Sequence, residues 1–349
     1  MQIYRFDPLQ DARWPKLLET HRYASVFHTP AWLEALRRTY GYKPIAFTLS
    51  PPTGELKNGL VFCRVCSWIT GGRMVSLPFS DHCEPLVDRL EDLDFLIGCL
   101  QADMEHQKWK YLEVRPVNGI FTRKGEASGF RNAKVYYLHS LDLRPELDDI
   151  FRSLHKDSAQ RRIRHAERLN LVSQHGRSEQ LLKDFYGLQK LTRRRHHLPP
   201  QPYAWFRNLL SCMGSALEIR LAYKDRVPVA GVLTLRFRNT LYYKYGVSDA
   251  RLKNMGAMPF LLWDTIRDAK KAGLEEFDLG RSESDNEGLI AFKDHWTHIH
   301  RQISYWRYPA SDSLASSEDW KLRIAKRIFT LMPDRVLDAT GRLIYRHIG

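Results

Sequence analysis

The strongest constraint on this chain is that one helix-then-strand unit is written twice. Phe95-Leu96-Ile97 and Phe260-Leu261-Leu262 stand 165 positions apart. At the same offset, without a gap, Trp109 overlies Leu274, Leu112 overlies Phe277, Glu113 overlies Asp278 and Val114 overlies Leu279. In the first copy Leu93, Leu96, Ile97, Leu100 and Met104 fall on one helical stripe. Each copy then runs into a short apolar strand carrying one acid, the pattern of a duplicated domain. At 349 residues the chain is also too long for one ordinary core. The expectation is α/β architecture with mixed sheets: two tandem domains over 1–143 and 144–310, then a basic helical tail over 311–349.

Local signals fill in this frame. Thr29 before Pro30 reads as a helix start, because Thr caps and Pro tolerates the first helical position. Pro44–Leu49 and Gly59–Trp68 read as strands around the turn residues Pro51-Pro52-Thr53-Gly54. Val75–Phe79 and Glu84–Val87 read as further strand pieces, followed by Tyr111–Val114. The second half opens with helices at Leu147–Leu154, Asp157–Leu169 and around Leu181–Leu188. The period then changes to two: Leu217, Ile219, Leu221 and Tyr223 alternate with polar residues. Val229–Phe237 and Leu241–Val247 flank a tight Arg238-Asn239 hairpin, with Leu241, Tyr243, Tyr245 and Val247 on one face. A Gly-bearing loop, a helix over Met258–Ala272 and strands at Glu276–Leu279 and Ile303–Tyr308 complete the sheet. Ser311–Ser317 is a polar break before a helical tail, Trp320–Ile348, interrupted at Pro333.

Charge narrows the partners. The formal net charge is +14, which attracts polyanions: nucleic acid, CoA phosphates, a lipid-linked pyrophosphate or an anionic membrane face. Between Arg152 and Arg195 there are 12 Lys/Arg against 4 Asp/Glu, either a solvated helix face or a polyanion-binding rim. The tail holds Trp320, Lys321, Ile324, Lys326, Arg327, Ile328 and Phe329, a composition suited to peripheral contact with anionic lipid or to packing on the domains. No run is long and apolar enough to span a bilayer, and Met1–Asp7 lacks an export pattern. Five scattered cysteines read as reduced thiols. The expected location is therefore the cytoplasm, at most peripheral to the inner membrane face. No metal is expected. Asp81-His82-Cys83-Glu84 would point alternately to opposite faces of an extended segment, and Cys63-x-x-Cys66 has no second pair.

Two stretches carry candidate chemistry. Arg251, Asn254, Gly256 and Ala257 precede a helix, where free N–H groups and a glycine can hold a donor phosphate; a simple tight turn is the alternative. Their order in the chain resembles the acyl-CoA site of the GNAT superfamily, with Asn254 in place of the first glycine of the usual loop. Farther on, Phe277-Asp278-Leu279-Gly280-Arg281 precedes Gly288-Leu289-Ile290-Ala291-Phe292-Lys293-Asp294-His295-Trp296. This resembles the signature of FemABX-like, or BioF2-like, tandem GNAT proteins, with Thr297 replacing a final glycine. Trp32 in its Thr-Pro-Ala-Trp-Leu-Glu context, Leu77-Pro78-Phe79-Ser80-Asp81 and the Arg161-Arg162-x-Arg164 helix agree with it.

The resemblance implies an N-acyltransferase that joins an activated acyl group to an amine on a small-molecule, cell-envelope or polysaccharide precursor. The co-substrate would be acyl-CoA or aminoacyl-tRNA, with no tightly bound cofactor. By the same resemblance Lys293 belongs to the reaction. An ammonium beside the reacting carbonyl stabilises the oxyanion, unless Lys293 is a surface lysine. Asp278 can orient the amine or accept its proton, or cap the next turn. Tyr245 can supply a proton or stack on the donor, or belong to the core. Arg281, Phe292, Trp296, Asp81 and His82 are the candidate substrate contacts. The competing class is a non-catalytic GNAT-like scaffold that binds RNA or an envelope-polysaccharide complex.

Overall fold

A computed structural model of the chain describes residues 2–68, 71–118, 121, 128–309, 329 and 332–348. By internal contacts these divide into two compact units. One is Met1–Val135 with Ile303–Ile324 and Thr340–Gly349; the other is Tyr136–Gln302 with Ala325–Ala339. Neither is a contiguous stretch: the first takes a strand from after the second repeat and the last residues of the chain, and the second takes part of the tail.

In the first unit, β1 (Tyr4–Phe6), β2 (Lys43–Thr48), β3 (Leu60–Ser67) and β4 (Gly71–Val75) are successively antiparallel neighbours. Here β5 (Leu112–Val114) pairs parallel with β4, and β12 (His300–Tyr308) pairs antiparallel with β5. The second unit repeats that logic. Its meander is β7 (Val172–Gly176), β8 (Leu217–Lys224), β9 (Val227–Phe237) and β10 (Thr240–Ser248). There β11 (Glu276–Glu283) pairs parallel with β10, and β6 (Arg131–Asp142) pairs antiparallel with β11. The duplicated sequence lands on equivalent places: Leu112 is opposite Met74 and Phe277 opposite Leu241, both in the parallel pair.

The helices between the paired strands bury the stripes the sequence shows. Leu93, Leu96, Ile97, Leu100 and Met104 of α3 (Leu90–His106) pack on Phe62, Leu112 and Val114. In the second unit α8 (Ala257–Lys271) packs on Phe277 and Leu279; its Leu261, Leu262 and Ile266 are fully buried. Each such side chain contributes ~1.5–3 kcal/mol. The first unit also holds α1 (Arg13–Thr20) and α2 (Pro30–Tyr40). The expected cap of α2 is present: the Thr29 side chain accepts the Trp32 N–H, and Gly41 ends the helix in the left-handed conformation. The second adds α4 (Leu147–Ser153), a π turn over Lys156–Gln160, α5 (Arg161–Arg168), α6 (Glu179–Arg195), α7 (Tyr203–Met213) and α9 (Glu287–Asp294).

Several expectations change. The strand expected at Val75–Phe79 ends at Val75, because Leu77 and Phe79 take positive φ and turn the chain. Glu84–Val87 contributes only an isolated bridge, Leu86 to Gly59. Tyr243 and Tyr245 do not share a face. A bulge between them breaks the alternation, so Tyr243 joins the α8 core while Tyr245 meets Trp205 and Phe206 of α7.

The break at Ser311–Ser317 and the tail residues from Trp320 to Ile328 lie outside the described residues. Farther on, α10 (Asp334–Ile344) is helical and buries Leu337. In the first unit the Tyr345 and His347 carbonyls accept bonds from the Tyr42 hydroxyl and the Arg73 guanidinium. In the second, Lys190 and Arg194 of α6 meet Asp338 and the Met332 carbonyl. Among the described residues no helix is long and apolar enough to cross a membrane.

Candidate active site

The parallel pair of the second unit comes apart at its C-terminal end. β10 and β11 pair at Thr240↔Glu276, Leu241↔Phe277 and Tyr242↔Asp278, and pairing stops there although both strands continue. At that point each strand bulges against its other neighbour, β10 between Tyr243 and Tyr245 and β11 between Asp278 and Gly280. A bulge bends its strand and re-aims the residues beyond it, so 243–248 and 279–283 part company. Beyond those pairs β10 and β11 are no longer bonded to each other, so a ligand between them can meet backbone groups of both strands. A crevice at the carboxyl ends of parallel strands is where open α/β sheets take their ligands.

Two of the predicted catalytic residues meet at this bulge, on the backbone of Gly280. Asp278 Oδ1 accepts the Gly280 N–H at 2.7 Å, and Lys293 Nζ donates to the Gly280 and Arg281 carbonyls, each at 2.8 Å. Gly280 sits at φ +73°, a conformation that disfavours any side chain. Lys293 is no surface lysine: it is 3% exposed, carried by α9, whose first turn Asn286 caps by accepting the Leu289 N–H. The carboxylate and ammonium thus bond Gly280 at its N–H and its carbonyl, where β11 bulges against β6.

The remaining candidates scatter. Tyr245 accepts a hydrogen bond from Trp205 Nε1 at 2.8 Å. Arg281 lies over the Tyr136 ring, 4.0 Å from its centroid. Phe292 packs against the α8 core and Trp296 is buried within it, so both serve packing. Arg251 is largely exposed and paired with Asp249, whose side chain also accepts the Arg251 N–H; that pairing holds the Asp249 carboxyl below its ordinary range. Asn254 is exposed on the 3-10 turn Ala250–Met255. Gly256 has left-handed φ, and a Cβ there would stand 2.5 Å from the Arg162 carbonyl oxygen. Ala257, the buried first residue of α8, follows it. The glycine therefore permits close packing of α5 on the start of α8. Beside that contact, Arg161, Arg164 and Arg168, with Glu167, line an open depression on the exposed face of α5.

In the first unit the corresponding opening is filled by the chain itself. Beyond Val75, Arg115 donates through Nε to Glu113 and through Nη1 to the Leu77 carbonyl, and its guanidinium lies over Tyr305. Arg115 and Arg307 together hold the buried Glu113 carboxyl down to about 2, against its burial. Asp81 and His82 belong to this plug. The Asp81 carbonyl accepts the Tyr305 hydroxyl, and His82 is buried edge-on to Phe27. An open gap thus belongs to the second unit.

Sequence reasoning missed His139, the β6 residue opposite Gly280. Polar residues on both faces of β6 hide its strand period, and no motif marks it.

The comparisons agree on where this architecture belongs. Residues 153–294 match the family described as acetyltransferase (GNAT) domain. The second unit thus carries a GNAT domain, and the chain has a FemX-like fold. The crystal structure of FemX superposes with a TM-score of 0.69 at 14% identity, covering 92% of this chain and 99% of that one. The C-terminal domain of a putative lysylphosphatidylglycerol synthetase from Agrobacterium fabrum gives 0.59 at 14% identity over 90% and 95%. A tandem GNAT protein from the clavulanic acid biosynthesis pathway gives 0.55 at 10% identity over 89% and 99%. Comparison of the sequence with curated proteins finds no match. The GNAT match lies in the unit with the open gap.

Proposed function

We propose that this GNAT protein is an N-acyltransferase that carries an activated acyl group into the gap between β10 and β11 and passes it to an amine. The observation that carries this reading is the end of pairing after Tyr242 and Asp278, with Lys293 clasping Gly280 at the opening. An acyl carbonyl there can accept from backbone N–H groups of the two strands, and those fixed dipoles stabilise its oxyanion as the amine attacks. The Lys293 charge adds to that stabilisation from behind the strand. Asp278 acts through Gly280 as a positioning residue.

Aminoacyl-tRNA is the donor we favour over acyl-CoA. The helix start that would hold a CoA pyrophosphate is packed against the Arg162 carbonyl, and the cationic face of α5 stands beside it. One structural neighbour, a putative lysylphosphatidylglycerol synthetase, is named for a lysyl product, which suits an aminoacyl donor. The acceptor would be an amine of a cell-envelope or polysaccharide precursor. Filter binding of purified protein with charged tRNA, and mass spectrometry of amine acceptors incubated with each donor, test the reading. Retention of charged tRNA and a product carrying the aminoacyl mass support it. Transfer from acyl-CoA alone would overturn the donor, and transfer from neither would leave the scaffold class.

A further inference from the structure

Three ligand-type side chains from three different elements converge beside α9. His139 comes from β6, Asp294 from the last position of α9 and His300 from the first of β12. His139 Nε2 lies 3.2 Å from Asp294 Oδ1, and His300 Nδ1 lies 3.7 Å from that same oxygen. One ligand atom from each residue falls within 4.8 Å of the other two. Ligands held about 2.1 Å from a tetrahedral zinc ion stand about 3.4 Å from one another, so small side-chain rotations close this set on one ion. The ring of His139 is fully buried and aims Nε2 at the cluster, while the side chains of Asp294 and His300 are 39% and 46% exposed. The cluster is therefore fixed at its base and open to solvent at its mouth.

We propose that His139 Nε2, an Asp294 carboxylate oxygen and His300 Nδ1 form a binding site for a divalent transition metal of the zinc class, with the fourth position open to water. Two imidazoles with one carboxylate suit zinc or cobalt better than magnesium or calcium, which prefer all-oxygen sets. Three protein ligands with an open position is also the stoichiometry of exchangeable zinc sites.

Two features set its strength. Among the described residues His139 Nδ1 is buried with no hydrogen-bond partner, so the orienting acceptor that usually strengthens a ligating histidine is missing there. The Lys293 ammonium lowers the His139 pKa, after burial itself, and disfavours a second cation nearby. Binding is therefore exchangeable and is read by titration. An ion held there ties the end of α9, one residue from Lys293, to β6 and β12.

The test uses the full chain, free of any tag and stripped with chelator. Titrate it with Zn²⁺ by calorimetry and with Co²⁺ by visible absorption, beside His300→Ala and Asp294→Asn. Both substitutions fall at partly exposed positions, so folding is preserved and is checked by circular dichroism. The expected result is one saturable equivalent per chain, a cobalt spectrum of tetrahedral type, and at least about tenfold weaker binding in each variant. Absence of a saturable equivalent, or wild-type affinity in either folded variant, overturns the site and assigns any bound ion to surface histidines.

Discussion

Replacing Gly256 by alanine separates two reasons for a glycine, and the structure supplies its control. Gly256 and Gly273 bracket α8 and have nearly the same left-handed backbone, φ +70° and +72°. Alanine in that conformation costs roughly 1–2 kcal/mol at either position, from the steric clash of Cβ with the backbone. At Gly273 no atom of the described residues lies within 4 Å of the added Cβ, so the cost ends there. At Gly256 the Cβ would stand 2.5 Å from the Arg162 carbonyl oxygen, below the 3.0 Å that real Cβ atoms respect, and the obstacle is backbone. α5 must move, adding about 1–3 kcal/mol of overpacking. Urea denaturation of both variants should therefore give a Gly256→Ala loss about 1–3 kcal/mol larger than that of Gly273→Ala, with unchanged dependence on denaturant. Equal losses, within a few tenths of a kcal/mol, would mean that α5 does not press on the start of α8. The start of α8 would then be open to a CoA pyrophosphate.

Lys293→Met keeps the aliphatic stem and removes the ammonium that donates to the Gly280 and Arg281 carbonyls; a loss of about 2–4 kcal/mol in urea denaturation is expected. Below its unfolding temperature the same variant should lose at least about a hundredfold in transfer rate. Glu113→Gln, which leaves Arg115 and Arg307 buried around a neutral amide, should cost about 3–5 kcal/mol in the same measurement.

Acid should weaken the fold through His28. That residue is buried, with Nδ1 accepting the Ser25 N–H and Nε2 bonding the Glu84 carbonyl, and burial pushes its pKa from 6.5 down to about 4. The folded state binds the proton less readily than the unfolded chain. Stability is therefore complete above pH 6.5 and falls as the pH drops toward 4, by about 3 kcal/mol. A His28→Gln variant lacking this slope between pH 6.5 and 4, measured by denaturant midpoints, supports the assignment; an unchanged slope contradicts it.

Much of this architecture is legible in the sequence because duplication writes it twice. The pairing of Leu112 and Phe277 in equivalent parallel strands follows directly from the offset between the copies. Apolar stripes located α3 and α8, and Thr29-Pro30 located the start of α2. What alternation alone hides is the bulge: period two assumes an unbroken strand, so it put Tyr245 with Tyr243. Strands β6 and β7 and helix α7 gave no usable period, β6 because its polar residues fall on both faces. At the site, Lys293 and Asp278 could be named but not joined, since their link through Gly280 depends on the β11 bulge. Trp296 and Phe292, aromatic neighbours of Lys293 in the sequence and read there as substrate contacts, instead pack: Trp296 lies in the α8 core and Phe292 against it.

Amide hydrogen exchange across the gap tests the central claim most directly. The purified protein is compared with and without a saturating, non-reactive aminoacyl-tRNA analogue. If the donor's acyl end enters between β10 and β11, the amides of 243–248 and 279–283 slow together, because they gain the partners that their strands stop giving each other after Tyr242 and Asp278. Protection confined to the face of α5, with those two segments unchanged at full occupancy, would contradict it.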